Sequence, residues 1–221
     1  ADYLIVATKS YDLKAVVALA KPCIGADTII LPLLNGGDIT EQLRALLPEH
    51  IVWSGCSYIV SRRISPGVIQ SSGNISKLVF GYEKESNGRT EEFRNLLADA
   101  GIDVKLVDNV RDNIWQKFFF ISVTASLTSY FNVGFNELAM GEHRDMAVGM
   151  SGEFMAVAAA EGVRLLSNDV EQVVNRASQL PAGTTSSMHS DFLAGNPTEV
   201  ETLTGAVVRF AHKNKIAVPL Y

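Results

Sequence analysis

The chain has 221 residues, of which 47% are hydrophobic, and a formal net charge of −5. A polypeptide of this length buries roughly 70% of its unfolded surface, so we expect a stable core that needs neither disulfides nor a structural metal. The acidic balance and the absence of a basic run argue against nucleic acid as a partner.

The first part of the chain alternates strand-like and helix-like segments. The strand-like segments are short, apolar and rich in β-branched residues, as buried parallel strands are. The helix-like segments carry apolar residues every three or four positions. This alternation predicts a parallel α/β sheet. The predicted strands are 3–7, 27–34 and 51–57, and the predicted helices are 12–21 and 38–47.

Between residues 56 and 82 the composition shifts to valine, isoleucine, serine and glycine around a Pro66-Gly67 turn. This pattern predicts two or three antiparallel strands. An amphipathic helix is predicted at 89–101, and a short strand at 103–107.

No strand pattern remains after Asp108, and the rest of the chain is predicted to be helical. The uncharged run 118–136 is long enough to raise the question of a membrane span, but its seven serine, threonine and asparagine residues indicate a buried helix instead. We therefore predict two domains, 1–108 and 109–221, and no membrane association. The helices are expected at about 109–131, 142–163, 168–178 and 199–214.

The two cysteines, Cys23 and Cys56, show no metal-type spacing. We predict free thiols in a reducing compartment, the cytoplasm. Three histidines are assigned to surfaces and the fourth, His189, has no partner that the sequence identifies. The three are His50, His143 and His212.

Two loops follow predicted parallel strands, where ligands of open α/β sheets bind. Asn35-Gly36-Gly37 comes after the second strand, and its glycines allow a ligand to approach the backbone. A plain strand-to-helix turn explains the same three residues. Lys9 follows the first strand, where it either faces a bound anion or is an ordinary solvated lysine.

Lys117 stands inside an apolar helix, at the edge of a stripe in which the apolar residues recur at helical spacing. Its side chain either extends along the aromatic surface to water or donates a proton from a partly dry site. The sequence leaves both possibilities open. The stripe consists of Val110, Ile114, Phe118, Ile121 and Ala125.

The segment 186–201 holds several polar side chains. Thr198 and Glu201 fit a capping box, which would place Glu199 in the first turn of the last helix. Glu199 has this structural explanation, but it could equally reach a ligand cleft. Ser187 and Asp191 are expected on a loop or short turn before it.

These segments together resemble the ketopantoate reductases (2-dehydropantoate 2-reductases). The match runs over residues 1–221 and its most specific part is the last, with Ser187-Met188, Asp191, Thr198-Glu199 and Gly205 at family spacing. The segments that carry the resemblance are "LIVATK", "LLNGG", "NIWQKF" and "SSMHSD…PTEVETLTGAVVRFAHKNKIAVP".

The resemblance implies a Rossmann-type NADPH domain followed by an all-α domain, with the substrate in the cleft between them. Residues 1–108 would be the C-terminal portion of the NADP-binding domain, and 109–221 the helical domain for substrate and dimerisation. The first strands and the glycine-rich phosphate loop are expected to precede Ala1, since the sequence has no GxGxxG motif. The 221 residues alone are then expected to bind NADPH weakly.

The implied reaction is the reduction of 2-dehydropantoate to pantoate by NADPH, on the way to pantothenate and coenzyme A. The resemblance implies that Lys117 is the general acid and that Glu199 orients it and touches the nicotinamide. It implies no metal, a 2-oxo acid as the small-molecule partner, and a homodimer. Substrate ligands would be Asn35, Lys117, Asn132 and Ser187, and cofactor ligands would be Lys9, Asn35, Glu199 and Ser61, which follows the "GCSYIV" strand.

The sequence departs from the family pattern at three positions that usually carry substrate-binding amides. Ile121 and Ala125 stand one and two turns after Lys117, and Phe135 stands at a third position, near Asn132 and Asn136. The alternatives are therefore a related NAD(P)-dependent reductase of a more apolar 2-oxo acid, and a non-catalytic helical interaction module. Whether the cofactor is NADPH or NADH is not determined by these residues.

Overall fold

The computed structural model describes residues 1–82, 88–165 and 169–221, with the backbone alone at 72–75 and 169. The chain forms two compact units, which we call the sheet unit and the helical unit. The sheet unit comprises Ala1–Thr8, Asp12–Leu34 and Ile39–Asn113, and the helical unit comprises Lys9–Tyr11, Asn35–Asp38 and Ile114–Tyr221. The predicted division into domains 1–108 and 109–221 stays a prediction.

The first sheet of the sheet unit has three parallel strands in the order β1-β2-β3. The central strand β2 is buried along its whole length. β1 is buried only in part: Val6 is 3% exposed, but Ile5 is 45% exposed, which differs from the prediction of a continuously buried first strand. The elements are β1 Tyr3–Val6, α1 Leu13–Ala20, β2 Ile29–Pro32, α2 Ile39–Leu46 and β3 Ile51–Val52.

The second sheet contains the predicted antiparallel pair, β4 and β5, followed by β6, which runs parallel to β5. The predicted strand 51–57 is divided between the two sheets. The Trp53 N–H still donates to the Ile30 carbonyl at 2.9 Å, and β4 begins at the next residue. The elements are β4 Ser54–Ser65, β5 Val68–Gly81, α3 Arg89–Asp99 and β6 Asp103–Leu106.

The two faces of β2 explain this division. Ile30 faces a cluster formed with α1 and α2, whereas Ile29 and Leu31 face an aromatic cluster that includes Trp53 and Phe80. The Trp53 and Phe80 rings stack with their centroids 5.5 Å apart. Burial of this large indole fixes the point at which the chain leaves the first sheet.

The helical unit packs its helices around α4, in which residues 122–125 are all buried. The four predicted helices are confirmed, with small differences at their ends. Residues 166–168, at the predicted start of the third helix, lie outside the described residues. The elements are α4 Val110–Phe131, a 3₁₀ turn at Phe135–Ala139, α5 Gly141–Ala160, α6 Asp169–Ser178, α7 Ser187–Leu193 and α8 Val200–Asn214.

Two local predictions about the last segment are wrong. Residues 187–193 form the helix α7 instead of a loop, because the Ser186 hydroxyl caps it by accepting the His189 N–H at 3.1 Å. Glu199 is the N-cap of α8 and not a residue of its first turn. The predicted capping box of Thr198 and Glu201 is therefore absent from α8.

Cys23 is exposed and Cys56 is buried, and neither cysteine forms a disulfide, which agrees with the prediction of thiols. Within the described ranges, the structure has no helix whose length and apolar character would let it cross a membrane.

Candidate active site

A buried carboxylate, Glu199, lies at the start of α8 and is 5% exposed. Its Oε1 accepts the backbone N–H of Ser10 at 3.1 Å, and its Oε2 lies 3.6 Å from Lys9 Nζ. The Ser10 hydroxyl accepts a hydrogen bond from Thr202 at 2.6 Å. The loop after β1 and the first turn of α8 therefore fix the direction of this carboxylate together.

Lys9 also pairs with Asp191 of α7, with 2.6 Å between Nζ and Oδ2. Partial burial alone lowers the pKa of Lys9, but the hydrogen bond to Asp191 and the charges of Glu199 and Asp191 outweigh it and raise the pKa above its ordinary value of 10.5. Lys9 is therefore a fixed positive charge at neutral pH, held by two helices of the helical unit.

The Asn35-Gly36-Gly37 loop needs both of its glycines. Gly36 has φ +132°, a conformation that side chains rarely adopt. A Cβ on Gly37 would lie 2.7 Å from the ring of Phe118. The loop is thus closely packed against α4, at the residue that follows Lys117.

Lys117 is half-buried, at the edge of the apolar face of α4. Three rings within two residues of it along the chain are each at most 2% exposed: Trp115, Phe118 and Phe119. Phe118 packs edge-on against Phe154 of α5, with centroids 5.1 Å apart. These rings fix the turn of helix from which Lys117 extends.

A polar network joins the end of α4 to α7. The Thr128 and Ser186 hydroxyls lie 2.8 Å apart. His189 is 4% exposed, its Nε2 lies 2.9 Å from Asn132 Oδ1, and its Nδ1 lies 2.7 Å from the Thr185 hydroxyl. His189 thus has two side-chain partners, although the sequence identified none.

Among the described residues, the other histidines show no ring with two side-chain hydrogen-bond partners; His143 Nδ1 lies 3.3 Å from the Glu137 carbonyl. His212 is exposed, as predicted, whereas His50 and His143 are half-buried. The described residues contain no group of three or more histidine, cysteine, aspartate or glutamate side chains arranged to hold a metal ion.

Six of the predicted site residues lie in the helical unit. Among these the structure brings Lys9 and Glu199 into contact, and it packs the loop of Asn35 against the helix of Lys117. Ser187 is exposed on the first turn of α7, and Asn132 is exposed at the end of α4. The six are Lys9, Asn35, Lys117, Asn132, Ser187 and Glu199.

Ser61 lies in the sheet unit instead. It is exposed and pairs with Ser71 inside the hairpin of β4 and β5. Its predicted position after a strand is wrong, because β4 continues to Ser65. Its role as a cofactor ligand stays a prediction.

Sequence reasoning missed Ser10 and Thr202, which hold Glu199 in place, and it gave Asp191 no role. Asp191 was recognisable as part of the motif around Ser187, but its partner Lys9 is 182 residues away along the chain. Ser10 acts partly through its backbone N–H, which no sequence pattern marks.

The residues after β1 and β2 lie at the carboxyl ends of adjacent parallel strands, where ligands of open α/β sheets bind. Val6 and Pro32 are paired in register on adjacent parallel strands, and Lys9 and Asn35 each follow three residues later. The Lys9 ammonium, the Asn35 carboxamide and the Glu199 carboxylate provide hydrogen-bond donors and acceptors for a polar ligand.

Two protein-family models match the chain. The family model described as "Ketopantoate reductase PanE/ApbA C terminal" matches residues 109–221, and that described as "Ketopantoate reductase PanE/ApbA" matches residues 1–85. The 2-dehydropantoate 2-reductase of Halobacterium salinarum is 32% identical, over 100% of the chain and 72% of that protein.

Solved structures show the same likeness. A PanE/ApbA family ketopantoate reductase from Ralstonia eutropha JMP134 superposes with a TM-score of 0.90 at 28% identity, covering 100% of the chain and 72% of that protein. A dimeric ketopantoate reductase from Staphylococcus aureus superposes with a TM-score of 0.87 at 25% identity. The match covers 99% of the chain and 73% of that protein.

Proposed function

The chain belongs to the PanE/ApbA ketopantoate reductase family of oxidoreductases, and from this premise we propose that it reduces 2-dehydropantoate to pantoate with NADPH, a step towards pantothenate and coenzyme A. The name of the Halobacterium salinarum relative supports the substrate, at 32% identity.

The observation that carries the proposal is the packing of Gly37 against Phe118. It places the Asn35 loop, which follows a parallel strand, against the helical turn that carries Lys117. A reduction of a ketone needs a proton source close to the cofactor, and Lys117 is half-buried at this position.

The bound nicotinamide supplies the hydride. In our proposal the Lys117 ammonium donates its proton to the ketone oxygen as the hydride arrives, and its charge stabilises the developing alkoxide. Partial burial of Lys117 lowers the effective dielectric constant around it relative to bulk water, which strengthens this electrostatic effect. Glu199, held by Ser10 and Lys9, orients Lys117 and the nicotinamide side.

The remaining predicted ligands keep their roles in the proposal. Asn35 contacts both cofactor and substrate, Lys9 and Ser61 contact the cofactor, and Ser187 and Asn132 contact the substrate. Lys9 is supported by its position beside Glu199.

A second substrate, a more apolar 2-oxo acid, is favoured by the residues beyond Lys117. Ile121 is half-buried and Ala125 is 3% exposed within the core, where the family resemblance implies amides. Two missing amides remove hydrogen bonds of about 0.5–1.5 kcal/mol each from the polar substrate.

We further propose a homodimer located in the cytoplasm. The dimeric Staphylococcus aureus relative supports the homodimer, and two cysteines that form no disulfide support the cytoplasm. Light scattering of the protein at micromolar concentration should give twice the mass of one chain, and a monomeric mass would contradict the dimer.

The function is tested by following NADPH and NADH oxidation by the protein expressed from its complete gene. We expect turnover of 2-dehydropantoate, with a higher kcat/KM for NADPH than for NADH. Equal or better turnover of a branched or aromatic 2-oxo acid would move the assignment to the second substrate. A lack of turnover with either acid would favour a non-catalytic helical module.

A further inference from the structure

We infer that His189, together with Thr185, is a positioning residue that fixes the side-chain amide of Asn132 with its NH₂ group directed outward as the donor to the substrate. This inference rests on the proposed function, because the donor is assigned there to the 2-oxo acid. The expected ligand group is the carboxylate or the ketone oxygen of that acid, since both accept hydrogen bonds.

The buried ring of His189 has one partner on each nitrogen. Nε2 faces the amide oxygen of Asn132 at 2.9 Å, and an amide oxygen only accepts hydrogen bonds. Nε2 therefore carries the proton. Nδ1 is then the acceptor. The Thr185 hydroxyl has two acceptors in reach, Nδ1 at 2.7 Å and the Val133 carbonyl at 3.4 Å, and we assign its proton to the shorter contact. The two contacts are consistent with a single neutral tautomer.

This arrangement determines which end of the Asn132 amide is available to a ligand. The oxygen is engaged by His189, so the NH₂ group is left as the outward end of an exposed side chain. Asn132 itself has φ +56°, the left-handed conformation in which asparagine ends helix α4. Backbone and ring together hold one asparagine in one orientation, which lowers the entropy lost when an anion binds.

The backbone of the same residue is anchored as well. The His189 backbone N–H donates to the Ser186 hydroxyl, which lies 2.8 Å from the hydroxyl of Thr128 on α4. The first turn of α7, which carries Ser187, and the end of α4, which carries Asn132, are thus parts of one hydrogen-bonded network. This network holds in place the backbone segments that carry the two predicted substrate ligands, Ser187 and Asn132.

The test compares steady-state kinetics of His189→Leu and His189→Gln, in the enzyme expressed from its complete gene. Glutamine retains an N–H donor at the reach of Nε2, whereas leucine removes it. We expect His189→Leu to raise KM for the 2-oxo acid about tenfold, the effect of one hydrogen bond to a charged group, with kcat and the cofactor KM changed less than about threefold. His189→Gln should stay near the wild type, as should the control His212→Leu at an exposed position.

A double-mutant cycle separates positioning from a general structural role. In an Asn132→Ala background, His189→Leu should raise KM no further, because the amide that it positions is already gone. Independent effects of the two substitutions would overturn the inference, and so would equal losses in His189→Gln and His189→Leu. If His189→Leu does not fold, Thr185→Val decides: a KM rise of about threefold supports the inference and an unchanged KM contradicts it.

Long-range ¹H–¹⁵N spectra of the imidazole give a readout that needs no turnover. The inference requires the Nε2–H tautomer in the wild type, and an Nδ1–H tautomer would overturn it. Wild-type enzyme with this tautomer but without 2-oxo acid turnover would refute the proposed function and leave the orientation of Asn132 intact.

Discussion

Glu199 combines deep burial with two different partners, a backbone N–H and an ammonium. A buried carboxylate without such partners would be strongly destabilising. Replacement by glutamine keeps the shape but removes the charge and sets an amide against groups that donate. We expect Glu199→Gln to lower the free energy of unfolding by about 1–3 kcal/mol and to reduce kcat/KM.

Urea unfolding and steady-state kinetics measure these two effects. The matched control is Glu201→Gln on the same helix, since the Glu201 side chain is 88% exposed. This control should change the free energy of unfolding by less than about 0.5 kcal/mol. Equal effects of the two substitutions would contradict the role assigned to Glu199.

The charged form of Lys9 stabilises the folded protein, and this contribution to the free energy of unfolding is lost at alkaline pH. Its pKa is raised in the folded protein, so the charged lysine stabilises the fold. That contribution is fully present below 10.5, the ordinary pKa, and is lost as pH rises through the higher folded-state pKa. The advantage of the wild type over Lys9→Met should therefore be constant at pH 7–10 and shrink above pH 10.5.

Thermal unfolding of both proteins across this range is the measurement. The exposed Lys14 provides the control, since Lys14→Met should show no such pH-dependent difference. An advantage of Lys9 that grows above pH 10.5 would mean that the charged lysine does not stabilise the fold.

At the level of elements, the Asn35-Gly36-Gly37 loop packs against α4, which explains why position 37 is a glycine. Gly37→Ala would place a methyl group 2.7 Å from the Phe118 ring, which is itself packed against Phe154. The ring cannot move freely, so we expect a loss of about 1–3 kcal/mol in unfolding free energy and lower activity. Urea denaturation and NADPH oxidation measure both.

Gly152 on α5 is the matched control for the same substitution. A Cβ there meets no atom within 4 Å, and the residue lies in a helix interior. Gly152→Ala should stabilise the protein by about 0.5–1 kcal/mol through helix propensity. A stabilising effect of Gly37→Ala would show that the loop does not pack on Phe118 as described.

Helical periodicity predicted α4, α5, α6 and α8, because each is long and has a repeating apolar pattern. The seven-residue α7 was missed, since it is too short to show a period and is held by the Ser186 cap and the His189 contacts. The change of sheet at Trp53 was missed for a related reason. The strand-like run 51–57 contains no proline or charged residue to mark a break, and the packing of the indole divides it.

For the candidate site, motif resemblance identified Lys9, Glu199 and Asn35 one at a time. The pairing of Lys9 with Asp191 and the bond from Ser10 to Glu199 join residues more than 180 positions apart, so no local pattern contains them. His189 differs from these residues because no motif marks it. A lone histidine carries no sequence signal, and its role emerges only from its two partners.

At the scale of the molecule, the loops after β1 and β2 belong to the helical unit although they lie within the strand-rich half of the chain. These are Lys9–Tyr11 and Asn35–Asp38. Both are held by helices of that unit, through Glu199 and through Phe118. The helical unit therefore contains residues expected to touch the cofactor as well as those expected to touch the substrate.

Our central claim is that Lys117 delivers the proton to the ketone. The most direct test is single-turnover oxidation of NADPH by Lys117→Ala, with saturating 2-oxo acid and Lys14→Ala as the control. We predict a rate of hydride transfer lowered by about 10²–10⁴-fold with cofactor affinity retained, and no change in the control. A Lys117→Ala rate within about threefold of the wild type would contradict the claim.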